Sequence, residues 1–159
     1  CLEGNGLGSG QFEITEMAGA INLASSLSAT SEYPDFTVEW ALSNNIQYIV
    51  LSGYAGFENA GADNIKSKVT DVMANAYETY AGTTAANNNN ICFIANEIFT
   101  GPSAIIALVY CATWFYPDLF SDLDGFGVFQ EYINLFCPAL ADYDLSEHIG
   151  QFVVAPGSN

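Results

Sequence analysis

The side chains with the greatest chemical capacity in this chain are its carboxylates, its four cysteines and its single histidine, and their spacing decides what they can do. Asp118, Asp122 and Asp124 precede Gly125 and superficially suggest a calcium loop. Such a loop needs oxygen ligands at regular positions and a terminal bidentate glutamate, whereas Leu123 interrupts the carboxylates and a helical pattern follows at once, so helix capping is the expected role. His148 lies in Ser146-Glu147-His148, which has no nucleophile partner in a triad arrangement, and its expected role is structural. Cys1, Cys92, Cys111 and Cys137 show no C-x-x-C pair and no metal-ligand spacing. Cys92 and Cys111 read as small buried apolar residues on a strand and a helix. Cys1 and Cys137, at the chain start and a helix end, are placed to pair within or between subunits in an oxidising compartment, with free thiols as the alternative. The Asn87 to Asn90 run offers no chemistry, and no carboxylate pair stands out for acid/base work. The expectation is a protein that is not an enzyme, with no catalytic residues, no metal and no cofactor.

The charge balance narrows the partners. The chain has 159 residues and 18 acidic side chains against Lys66 and Lys68, for a net charge of −16. Charged residues make up 13% of it, against about 25% in ordinary domains, so basic residues have been lost rather than acidic ones gained. Displacing counterions from phosphates requires clustered cations, which excludes nucleic acid and anionic membrane surfaces as partners. Two Trp, nine Tyr and eleven Phe provide ample surface to bury, unlike a disordered chain. The longest apolar stretch, Ala104 to Tyr116, is too short to span a bilayer. No basic segment followed by an apolar one opens the chain, so an export signal is expected to have been removed or never to have been present. Cys1 at the first position is what lipoprotein processing leaves, and a lipid anchor there is one expectation.

These residues must be held by elements that the hydrophobic pattern outlines. Residues 1–11, with Gly4, Gly6, Gly8 and Gly10, read as a glycine-rich irregular lead-in, and residues 12–159 as one domain. Ile14, Met17, Ala18 and Ile21 predict a helix over Phe12 to Leu27. A short helix capped near Asp35 or Thr37 ends at Asn44-Asn45, followed by a strand over Ile46 to Leu51. Asn64 to Tyr80 is predicted helical, Gly82 to Asn90 a loop rich in turn and left-handed conformations, and Ile91 to Ala95 a buried strand. Thr100-Gly-Pro opens an apolar helix to Tyr116, with Pro102 in its first turn. A helix over Gly125 to Phe136 stops before Pro138, and Gln151 to Ala155 is predicted as a terminal strand. This order is that of an α/β protein.

From Gly101 to His148 the residues resemble the C-terminal lobe of the solute-binding proteins of ABC importers that handle iron siderophores, haem and cobalamin. The resemblance rests on the Gly-Pro-opened helix, then Trp114, Pro117, Asp118, Leu119, Phe120, Asp122, Leu123 and Asp124, then Gln130, Glu131, Tyr132 and Phe136. Upstream, Ala18-Gly19-Ala20-Ile21-Asn22-Leu23-Ala24 is similar to the family's A-G-G-x-N-x-A, and Trp40 to Val50 to its helix-then-strand segment. It implies a single Rossmann-like lobe with a small, mostly parallel sheet flanked by helices, an open sheet edge on the N-terminal side and a C-terminal strand. Departures are equally specific. The N-terminal lobe is not among these residues, no strand precedes the helix near Phe12, and the chain has no arginine for an anionic ligand. Glu13 or Glu16 would take the place of the carboxylate that docks with permease arginines, against the plainer reading of a solvated helix N-terminus.

Two functions follow as expectations. The first is an exported structural protein that assembles with copies of itself into a sheath, tube or surface layer. Phe152, Val153 and Val154 would add to a neighbour's sheet and Cys1 or Cys137 would lock subunits; the near-absence of lysine removes a common guard against edge pairing. The second is a receptor lobe working with a separate N-terminal lobe and an ABC permease.

Overall fold

The computed structural model describes residues 2–53, 63–140 and 142–158. Among them the chain runs β1 (Leu2–Glu3), α1 (Gly10–Met17), β2 (Asp35–Phe36), α2 (Val38–Ser43), β3 (Ile49–Gly53), α3 (Asp63–Thr79), α4 (Thr84–Asn87), β4 (Ile91–Ala95), α5 (Ala104–Phe115), α6 (Gly125–Phe136), α7 (Leu145–Phe152) and β5 (Val153–Val154). Five consecutive apolar residues leave β4 no polar face, and all five are buried at the centre of a three-stranded sheet. On one side β3 runs parallel to it, from Ile49 opposite Ile91 to Gly53 opposite Ala95. On the other, β5 runs antiparallel, with Val153 opposite Ile94. The fold is therefore mixed α/β, and its sheet has one parallel and one antiparallel pair rather than the mostly parallel arrangement expected. A second sheet pairs β1 with β2.

The helices cover the sheet with the faces that their spacing sets. Val69, Met73, Ala76 and Tyr80 recur at helical intervals on α3 and its C-terminal end and are buried. On α6, Gly125, Phe129 and Ile133 point inward, and Phe129 meets Phe152 edge-on at 5.5 Å. Gly125 fits because a Cβ there would lie 2.7 Å from the Tyr110 ring. Asp124 occupies the expected N-cap position of α6, but its side chain makes no capping hydrogen bond. The cap of α2 is Thr37, whose Oγ1 accepts from the Trp40 N–H.

Several boundaries differ from the sequence expectation, each for a local reason. The helix predicted over Phe12 to Leu27 ends at Met17. Gly19 adopts φ +87, the Gly19 N–H donates to Glu16 O and the Ala20 N–H to Thr15 O, which closes the helix in a Schellman turn. A 3₁₀ turn at Leu23–Ser26 follows. The lead-in is not irregular: beyond β1, Gly4 N–H donates to Pro34 O and Gly6 N–H to Glu32 O, extending the ladder with the segment around β2. Glycine is required at position 6, where a Cβ would lie 2.8 Å from Pro34 Cδ. Thr84–Asn87 forms a turn of helix inside the expected loop, capped by Thr83, while Asn89 and Asn45 take left-handed conformations. Gln151 and Phe152, expected in a strand, complete α7, whose N-terminus Asp144 caps by accepting from Ser146 N–H. Only Val153 and Val154 are extended there.

Candidate functional site

The sequence-selected residues are distributed rather than gathered. Cys1 lies outside the described residues. Cys137 follows α6, half-buried and unpaired among the described residues, beside Leu135 and Phe136, which are 65% and 67% exposed. Cys92 on β4 and Cys111 on α5 are fully buried free thiols. Burial raises Cys111 to about 12 and, with Cys111 nearby, pushes Cys92 well above its ordinary value. Protonated thiols are poor nucleophiles, so both act as core side chains. His148 stacks on Tyr143 at 4.8 Å and its Nδ1 lies 3.4 Å from Gln151 Nε2. Glu13 and Glu16 are exposed on α1, and Glu16 Oε1 accepts from the Asn22 N–H at 2.7 Å. No cluster of three or more His, Cys, Asp or Glu suited to a metal exists among the described residues, and no described helix is long and apolar enough to cross a membrane.

The C-terminal strand expected to assemble is shorter and more buried than the sequence suggests. Phe152 is fully buried at the end of α7, and Val153 is 7% exposed. The Val153 N–H donates to Ile149 O, capping α7. A strand edge whose outward donor is already engaged has little to offer a neighbour. Val154 alone of the three retains partial exposure.

The other edge of the sheet is different. Ile49 N–H donates to Asn90 O, so Ile49, Leu51 and Gly53 direct their backbone groups toward β4. Alternation along the strand then turns the N–H and C=O of Val50 and Ser52 outward, and among the described residues no strand pairs on that side. Two cavities of about 630 and 560 Å³ flank this edge. They share Asn5, Gln11, Phe36, Val50 and Tyr80, so together they form one trough between β3 and the β1–β2 ladder. The larger is lined by rings, including Trp40, Tyr48 and Phe115, and by amides, including Asn22 and Gln47. Among the described residues no carboxylate and no lysine lines it, and Glu3 is the single carboxylate lining the smaller one. In a chain of charge −16 the described lining of this hollow is close to neutral.

Tyr80, just past α3, lines both cavities and is 8% exposed, yet its hydroxyl has no hydrogen-bond partner among the described residues. Burial raises its pKa, so it stands as a neutral donor. Tyr48, by contrast, donates to Trp114 O at 2.8 Å and is a fixed part of the wall. Sequence reading missed Val50, Ser52 and Tyr80. No residue type announces an unpaired edge; the available signal was the uncharged run Ile46 to Gly53, whose largely apolar content did not separate an edge strand from a central one.

No family model matches the chain, and no curated protein or solved structure matches it either.

Proposed function

We propose that this chain is a non-enzymatic structural protein that assembles with copies of itself into an extracellular or cell-envelope polymer by pairing at a sheet edge. One observation carries the reading: the five residues of β3 leave the outward backbone groups of Val50 and Ser52 without a described partner, bordered by described lining residues of which Glu3 alone is charged. Like-charged protomers repel, so close contact is favoured where carboxylates are absent. Edge lysines, which ordinarily discourage such pairing, are replaced here by no basic residue at all between Ile46 and Gly53. Cys137 with the exposed Leu135 and Phe136 supplies a second and different patch, and two distinct contacts per protomer allow a chain to extend rather than close as a pair. Export accords with this reading, because disulfides at Cys137 or Cys1 persist only in oxidising surroundings, and two lysines two residues apart leave trypsin-like proteases little to cut. On this reading the domain descends from a Rossmann-like receptor lobe.

Sedimentation and negative-stain imaging of the full chain test it. Large ordered species that dissociate for Val50→Pro, and loosen with reductant or at low ionic strength, are the expected result. Proline at position 50 removes an outward N–H without touching the β4 ladder, as edge positions allow.

A second reading is favoured by the trough itself. Its aromatic and amide lining and its volume suit a small-molecule site, as in the C-terminal lobe of a solute-binding protein completed by a separate N-terminal lobe and an ABC permease, with Glu13 or Glu16 as the docking carboxylate. A monodisperse chain that binds a corrinoid or a ferric chelate would establish this reading and remove the first.

A further inference from the structure

We propose that the trough beside β3 is a receptor for one extended, uncharged peptide segment, inserted between β3 and the β1–β2 ladder, rather than for the flat edge of another sheet. The inference rests on the assembly reading and names what a neighbouring copy must contribute to it. Three observations lead there. The first is the identity of the unsatisfied groups: Val50 and Ser52 present alternating N–H and C=O groups along one line, spaced two residues apart. Only another extended backbone supplies donors and acceptors at that repeat.

The second is shape. The free edge borders a hollow walled on the far side by residues of the N-terminal ladder, including Asn5 and Phe36. A whole sheet approaching edge-on would meet that wall, whereas a single strand of about five residues, ~17 Å long, lies along the 46–53 stretch and has both of its own edges free. The third is charge and polarity. Among the described residues the larger cavity has neither carboxylate nor lysine in its lining, and the hydroxyl of Tyr80 makes no hydrogen bond to the rest of the described protein. An inserted carbonyl would give that hydroxyl an acceptor. A charged side chain placed in the same hollow would meet no counter-charge among the described lining residues of the larger cavity.

Amide hydrogen exchange on the full chain distinguishes the alternatives. The probe is a capped five-residue peptide of alternating valine and threonine, with a second peptide carrying glutamate at its centre as comparison. The expected result is that the neutral peptide slows exchange at Val50 and Ser52 at least tenfold while leaving Ile49 and Leu51, already bonded to β4, unchanged. The glutamate peptide should need at least tenfold more material for the same effect, and Tyr80→Phe should weaken the neutral peptide several-fold. Slowing spread evenly over the sheet, no slowing at Val50 and Ser52, or equal protection by both peptides would each overturn the proposal. The assembly reading is judged separately by sedimentation of the same sample. Assembled material whose Val50 and Ser52 amides exchange as in the monomer overturns this inference and leaves assembly to another surface. A chain that stays monomeric yet shows the peptide protection supports the inference and removes assembly.

Discussion

The two edges of the central sheet are finished in opposite ways. At the β5 edge a helix runs directly into a two-residue strand, so that the Val153 N–H closes the last turn of α7 and Phe152 enters the core beside Phe129. At the β3 edge a five-residue strand faces a hollow, and its outward groups meet no described partner. Natural sheets blunt edges with lysine, proline, bulges or cover. Here β5 uses covalent continuity with a helix, while among the described residues β3 shows none of these. A sheet so built is directional, with one end closed and one receptive.

Breaking the closed end carries the largest expected effect. Phe152→Ala removes a fully buried ring in edge contact with Phe129, and should cost about 3–5 kcal/mol, measured as a lowered urea midpoint with unchanged slope. Slightly smaller is a contrast within β3. Leu51→Pro deletes a donor that faces β4 and leaves a buried acceptor unpaired, and should cost about 1–3 kcal/mol. Val50→Pro, one residue away, should change monomer stability far less while abolishing assembly. Equal destabilisation by the two prolines would mean that Val50 is not an outward position, and the directional sheet would fall with it.

A helix cap lies next in size and tests how the trough wall is held. Ser9 Oγ accepts from Phe12 N–H and donates to Gly6 O, joining α1 to the N-terminal ladder. Ser9→Ala should cost about 1 kcal/mol and should weaken peptide protection at Val50 by loosening the ladder opposite it. Unchanged protection would show that the ladder is not part of the receptor.

Much of the closed core was legible in sequence and little of the open edge was. The five apolar residues Ile91 to Ala95 announce a buried strand, and the amphipathic run from Gly125 to Phe136 announces α6. What failed was whatever depended on a single backbone angle or on a distant neighbour. Ile21 at helical spacing extended the predicted first helix past Gly19, because periodicity does not register a left-handed glycine; in the structure Ile21 is exposed. The alternate glycines of the lead-in read as flexibility, whereas Gly6 is small because Pro34 lies against it. The apolar Phe152-Val153-Val154 read as one strand, since burial of Phe152 by a helix end and of Val153 by a strand leaves the same apolar signature. Edge status itself belongs to the assembly of strands, not to any one of them, so the receptive side of the sheet was implied only through a resemblance.

The smallest effect concerns alkaline pH and sets the thiols of the core against the one near the surface. Cys111 is raised by burial from its ordinary 9.0 to about 12, and Tyr110 and Tyr143 from 10.0 to about 12. In the unfolded chain these groups lose their protons at the lower, ordinary values, so between pH 9 and 12 the folded state holds more protons than the unfolded one. Stability is then full below about pH 9 and declines as pH rises toward about 12. Cys111→Ala should make that decline shallower by one group's share across the range from 9.0 to about 12, while the shares of Cys92 and the two tyrosines remain. The same burial predicts that iodoacetamide at neutral pH labels Cys137 and spares Cys92 and Cys111 in the folded chain. Mass spectrometry of the labelled protein reads this directly. Rapid labelling of Cys92 would mean that β4 opens from the β3 side, and the receptive edge would then be a site of local unfolding rather than a preformed receptor.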